Sequence, residues 1–232
     1  MNGGPPLPPA LRRIVRNDLR PVRPLAAPAR RALVLAVWAP VAVALVVAIA
    51  PSRPDAADLG WLFSWGVTLA ELAAGAGLVT LALGEAVPGA GAGRLAGISA
   101  LAAAAALFVL LAVLSRGASA GILVADPVVS HGPTCFALTA LIGLTAFAVA
   151  AALILRATPL RASFAGLLAG AGAGLMAEGV HHLECPVTHL AHVFVWHGSA
   201  IVLLALLGLG MGLSLEALER RGMARRLDTR RR

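Results

Sequence analysis

The chain has 232 residues, of which 59% are hydrophobic and 13% charged. A water-soluble domain of this length needs more polar surface, so the composition excludes a soluble globular protein and points to a membrane class. The net charge of +8 does not point to nucleic acid, because all 19 basic residues are arginines and most lie in the two tails, beside apolar segments. That distribution orients a membrane protein, whereas a nucleic-acid groove spreads its cations over a folded surface.

Met1 to Ala10 is rich in glycine and proline, and Ala10 to Arg20 follows as a short basic stretch. Leu11, Ile14, Val15 and Leu19 recur at helical spacing and predict an amphipathic helix that Pro21 ends. Val22 to Pro28 then reads as extended chain. A basic amphipathic helix either lies on an anionic leaflet or docks its apolar stripe into a partner's groove. The first apolar run begins near Ala32, after seven arginines. Its length of about twenty residues suits a retained span better than a cleaved signal.

Apolar runs of spanning length predict six transmembrane helices: Ala32–Ala50, Gly60–Leu83, Leu95–Leu114, Cys135–Leu155, Ser163–Val180 and Leu190–Leu215. The expected fold is therefore an all-α polytopic bundle. It comprises a cytoplasmic arm at 1–31, a transmembrane domain at 32–215 and a basic tail at 216–232. The fifth span is the shortest and richest in glycine. Gly166, Gly170 and Gly174 repeat every four residues there, which puts a stripe without side chains on one face and permits close helix packing. With both termini inside, the inner segments hold seventeen arginines and the outer segments only Arg53 and Arg116. The positive-inside rule then places both ends in the cytoplasm.

Drawn this way, the topology sorts the chemistry. Both cysteines and all six histidines fall on the outer side: His131 and Cys135 where the fourth span opens, and His181, His182, Cys185 and His189 between the fifth and sixth. His192 and His197 descend into the sixth helix, with His197 roughly 10–15 Å below its start. Helical spacing puts His189, His192 and Trp196 on one face, and Glu178 opposite His181 and His182. Cys135, Cys185, His181, His182, His189 and His192 are the candidate metal ligands. Thiolate with imidazole suits copper, zinc or another soft ion better than magnesium or calcium. A disulfide between Cys135 and Cys185, permitted in an oxidising periplasm, competes with this reading. So does a plain set of interfacial histidines turned toward water. Glu71, near the middle of the second span, is costly unless paired or protonated, which suggests a role inside the bundle.

The segment Asp18-Leu-Arg-Pro-Val-Arg-Pro-Leu25, followed by a proline and a basic pair, resembles the start of the NrsF-type membrane proteins. The likeness continues through six spans, with Cys135 opening the fourth, Cys185-Pro186 after the fifth and Trp196-His197 in the sixth. It covers nearly the whole chain. It implies an anti-sigma factor that holds an extracytoplasmic-function sigma factor on the cytoplasmic side. The arm residues Leu11, Ile14, Val15, Leu19, Arg20, Pro21 and Arg23 are the candidate contacts. It further implies that Cys135 and Cys185 sense heavy-metal or oxidative stress and trigger release. No enzymatic turnover is expected. A thiol- or haem-linked redox protein and a metal transporter are the alternatives. A quinone-coupled thiol exchanger usually has more than one cysteine pair, and no broken-helix pair marks a transport path.

Overall fold

The computed structural model describes residues 25–50, 53–118, 131–157, 159 and 161–231, together with Pro8 and Arg13, with side chains through Met223. The arm residues Leu11, Ile14, Val15, Leu19, Arg20, Pro21 and Arg23 lie outside the described residues. All regular structure among the described residues is helical. The helices are α1 (Pro28–Ile49), α2 (Ala56–Glu85), α3 (Arg94–Ala118), α4 (Gly132–Leu155), α5 (Ala162–His181) and α6. The last starts as Leu190–His192, passes through a π-helical turn at Val193–His197 and continues as Gly198–Arg231. A second π-helical turn, Leu62–Gly66, interrupts α2. All six helices are long and apolar enough to cross a membrane.

The expected spans lie on these helices, with two shifts at the chain ends. Helix α1 starts at Pro28 rather than Ala32, since proline in a first turn has a suitable φ and lacks an N–H that would go unbonded anyway. Helix α6 runs on through the predicted tail instead of stopping at Leu215. Leucine, glutamate, arginine and alanine dominate that stretch, and all are good helix formers.

Successive helices alternate in direction, so the bundle has two chemically different ends. At one end Arg31 donates to the Leu153 carbonyl, Arg161 pairs with Glu85 at 3.6 Å, and Glu216 accepts the Ser163 N–H at 2.8 Å. That last bond caps the first turn of α5 from a neighbouring helix. At the other end the α1–α2 connection is latched to the end of α5, the Arg53 N–H donating to the Leu183 carbonyl at 3.2 Å. Arg53 also pairs with Asp55 at 2.6 Å, and both side chains are buried.

Helix α5 forms the centre. In its apolar stretch 83% of residues are buried inside the bundle, against 17% in α3 and 6% in α1. Glycine makes this possible on two faces. A Cβ on Gly166 would collide with the Gly208 carbonyl, and one on Gly170 with the Leu204 carbonyl; on Gly174 it would lie 2.8 Å from Ile201 Cα. The predicted stripe is therefore the seam with α6. A second glycine face meets α2: a Cβ on Gly172 would lie 2.6 Å from the Gly75 carbonyl oxygen, and one on Gly179 would lie 2.9 Å from that of Thr68. Small-residue seams gain dispersion contacts along the backbone and keep helices in register. By contrast α1 is peripheral. It buries only Arg31 and Leu35, and Trp38 Nε1 donates to Thr145 Oγ1 of α4 at 3.0 Å.

Candidate functional site

Three local devices bring the thiols together. Cys135 sits in the first turn of α4, its N–H bonded to the His131 carbonyl at 3.0 Å. Below it, Gly132 is covered by the Trp196 indole so closely that no Cβ would fit. After α5 the chain does not stand up over the bundle. The N–H groups of Glu184 and Cys185 both return to the His181 carbonyl at 3.1 Å, which curls Cys185 back over the helix end. Leu183, Cys185 and Val187 are buried in consequence. The two Sγ atoms face each other at 3.7 Å, both as free thiols.

The π-helical turn in α6 supplies the third device. In a regular α-helix residues five apart diverge by about 140° around the axis. The wider π turn draws them onto one face, and the rings of His192 and His197 are 5.3 Å apart. This replaces the expected trio of His189, His192 and Trp196. Trp196 packs over Gly132 instead, and His189 is exposed at the start of α6. Glu178 does lie close to His181 and His182, as expected, but its side-chain bond to an imidazole crosses the helix seam. Glu178 Oε2 accepts from His197 Nδ1 at 2.6 Å, across the seam between α5 and α6, while His181 Nδ1 donates to Glu184 Oε1 at 2.5 Å.

Donor atoms of Cys135, His181, Cys185 and His197 all lie within 4.8 Å of one another, and all four residues are buried. With both Nδ1 atoms engaged, Nε2 of His181 and of His197 is buried without a hydrogen-bond partner. Such orphaned polar atoms are rare and call for an explanation. A Cys2His2 set is a common tetrahedral ligand group, with metal–sulfur bonds of about 2.3 Å. Two sulfurs on such a centre stand about 3.8 Å apart, close to the 3.7 Å found here. The group can therefore hold a soft or borderline ion with little rearrangement.

Of the predicted ligands, Cys135, Cys185 and His181 belong to this group. His192 is fully buried beside it, its Nε2 3.8 Å from Cys185 Sγ. His182 is turned elsewhere: its Nε2–H donates to the Phe63 carbonyl at 2.8 Å, and Arg53 lies on the same nitrogen's side at 3.4 Å. Burial, and then the charge of Arg53, push the His182 pKa below its ordinary value. His197 was absent from the predicted ligands because depth along a regular helix separated it from the loop. The inward fold of the connection and the π turn remove that separation.

The group lies between two cavities. A cleft of about 500 Å³ reaches the thiols past Pro54, His131, Thr134 and Glu184. Behind it, a small, partly open chamber of about 20 Å³ is lined by Glu71, Ser115, Glu178, His182 and His197 among others. Glu71, only 2% exposed, is thus in the bundle interior beside the site, with its Oε2 unpartnered.

No curated protein and no solved structure matches the chain. The family described as NrsF, negative regulator of sigma F, matches residues 16–215. Its span takes in α1 to α5, α6 as far as residue 215, and both thiols and both imidazoles of the cluster, and the chain belongs to this family.

Proposed function

We infer that the protein is an anti-sigma factor of the bacterial inner membrane, without catalytic turnover. It holds an extracytoplasmic-function sigma factor at its cytoplasmic face and releases it on heavy-metal or oxidative stress. The observation that carries the sensing half is the buried four-donor group of Cys135, Cys185, His181 and His197, whose spacing suits a tetrahedral soft ion such as copper(I) or zinc(II). Family membership supports a sigma factor as partner. The excess of arginine at the far end supports a cytoplasmic location for both termini. The arm, with Leu11, Ile14, Val15 and Leu19 on one stripe, is the segment best suited to grip the partner.

Signal transfer follows from the packing. The four donors come from α4, from α5 and its following connection, and from α6, so a bound ion draws these elements toward one point. The glycine seam makes α5 and α6 a closely packed pair running to the opposite end, where Glu216 caps α5. Movement at one end is then transmitted rather than absorbed. A ligand shifts this equilibrium only by its preference for one packing over the other.

Oxidation is a second input at the same thiols. At 3.7 Å the sulfurs need to approach by roughly 1.7 Å to form a disulfide bond. A peroxide is the two-electron oxidant: one thiolate takes a peroxide oxygen to become a sulfenic acid and releases hydroxide, and the other thiolate then displaces a second hydroxide from that sulfur to form the disulfide.

The test is induction of sigma-dependent genes in cells carrying Cys135→Ser and Cys185→Ser together. Induction by metal and by oxidant should be lost, and unchanged induction would overturn the sensing role. Deleting residues 1–25 should free the sigma factor; continued co-purification would move the contact elsewhere.

A further inference from the structure

Two carboxylates stand behind the imidazoles, and they reach them by different routes. Glu184 lies on the connection after α5, three residues beyond His181, and its bond closes a local turn. Glu178 sits on α5, is 4% exposed, and spans the seam to His197 on α6. In both pairs the carboxylate can only accept, so each neutral imidazole carries its proton on Nδ1. In that neutral form each Nε2 is a lone pair, and both are buried beside the two thiols with no conventional hydrogen-bond partner.

We propose that Glu178 and Glu184 are positioning residues, which lock His197 and His181 with Nε2 toward Cys135 and Cys185 and so set the affinity of the site for a soft ion. This rests on the metal-sensing reading above. A hydrogen-bonded carboxylate fixes the orientation of a ligating imidazole and raises its basicity, and loss of such a partner typically weakens binding about 10–100-fold. The glycine seam adds to the effect. Because α5 and α6 cannot slide apart cheaply, the length of the Glu178–His197 link sets where Nε2 stands. Without Glu178, His197 is free to turn over and present Nδ1–H or a misplaced lone pair.

The experiment uses the full chain in nanodiscs, with cobalt(II) as a spectroscopic probe and a chelator in competition. The parent protein should show thiolate-to-cobalt charge transfer and the strong visible bands of a tetrahedral centre. Glu178→Ala and Glu184→Ala should each weaken cobalt binding about 10–100-fold, with the charge-transfer intensity per bound ion unchanged because both sulfurs remain. Glutamine can still accept from Nδ1–H but lacks the charge, so Glu178→Gln and Glu184→Gln should fall between parent and alanine, with shifted visible bands. Glu219→Gln, at an exposed carboxylate of the far end that the site does not use, should leave cobalt affinity untouched.

Parental affinity in both alanine variants would overturn the proposal. If Glu178→Ala fails to fold, the isosteric Glu178→Gln decides: parental affinity with unshifted bands refutes the positioning role. A parent protein that binds no cobalt, zinc or copper(I) would instead refute the metal reading on which this rests.

Discussion

Replacing Gly170 by alanine tests the architecture that holds the site together. The new Cβ would lie 2.7 Å from the Leu204 carbonyl carbon and 2.9 Å from Ala205 Cα. Ordinary carbon–carbon contact is about 3.5–4.0 Å, so α6 must withdraw by roughly 1 Å. No rotamer change relieves the clash, because both partners are backbone. Overpacking costs about 1–3 kcal/mol, here at the upper end, and alanine's helix propensity returns about 1 kcal/mol, leaving a net loss of about 2 kcal/mol. Gly77 provides the control: a Cβ there meets nothing within 4 Å. Gly77→Ala should therefore keep the propensity gain of up to about 1 kcal/mol. Thermal unfolding of both variants in one detergent separates the cases. The withdrawal also exceeds the tolerance of about 0.5 Å that a preorganised ligand set allows, so Gly170→Ala should weaken cobalt binding while Gly77→Ala does not. A Gly170→Ala protein as stable as Gly77→Ala would refute the account of α5 as a glycine-seamed central helix.

Two further outcomes follow from the latch at the site end. Asp55→Ala leaves the Arg53 guanidinium buried without its carboxylate and should destabilise the fold by about 3–5 kcal/mol. Replacing both residues by leucine should recover most of that loss, and equal losses in the single and double variants would show that the pair does not act as a unit. The His182 pKa lies lower in the folded chain than in the unfolded one, so the unfolded state takes up the proton first. The stability from keeping His182 neutral is present above about pH 6.5 and is lost as the pH falls through its lowered folded value. In unfolding measurements below that pH, His182→Asn should show a shallower decline than the parent; identical slopes would contradict this.

The placement of the donors gives the bundle a mechanical logic. Donor side chains from α4, from α5 with its connection, and from α6 converge at one end, where the small chamber keeps Glu71 and Glu178 beside them. Only α5 touches both glycine seams. A change in the distance between His181 and His197 therefore bears directly on the closest-packed interface in the protein. The loosely held α1 is tied to α4 through Arg31 and Trp38, and α4 also carries Cys135.

Six helices of spanning length were legible in the sequence because hydropathy is local: each run of about twenty apolar residues declares itself without reference to the others. The same local reading put both cysteines on one side, and they do share one end of the bundle. The glycine stripe was legible too, since a four-residue repeat marks one helix face in any context. What the fifth span does with that stripe was not. Its composition made it look like the least secure crossing, whereas it is the central helix. A helix surrounded by protein gains more from close backbone packing than from large apolar side chains, so its sequence carries less of the lipid-facing signal. The ligand set also belongs to the tertiary structure. Histidines 182, 189 and 197 are equivalent as letters, yet only His197 joins His181 and the two thiols. A π-helical turn in α6, an inward-curling connection after α5 and a carboxylate across the helix seam make that choice. The carboxylate joins two different helices, and which side chains the turn and the curl bring to the thiols is decided only once α4, α5 and α6 have packed, which no local pattern encodes.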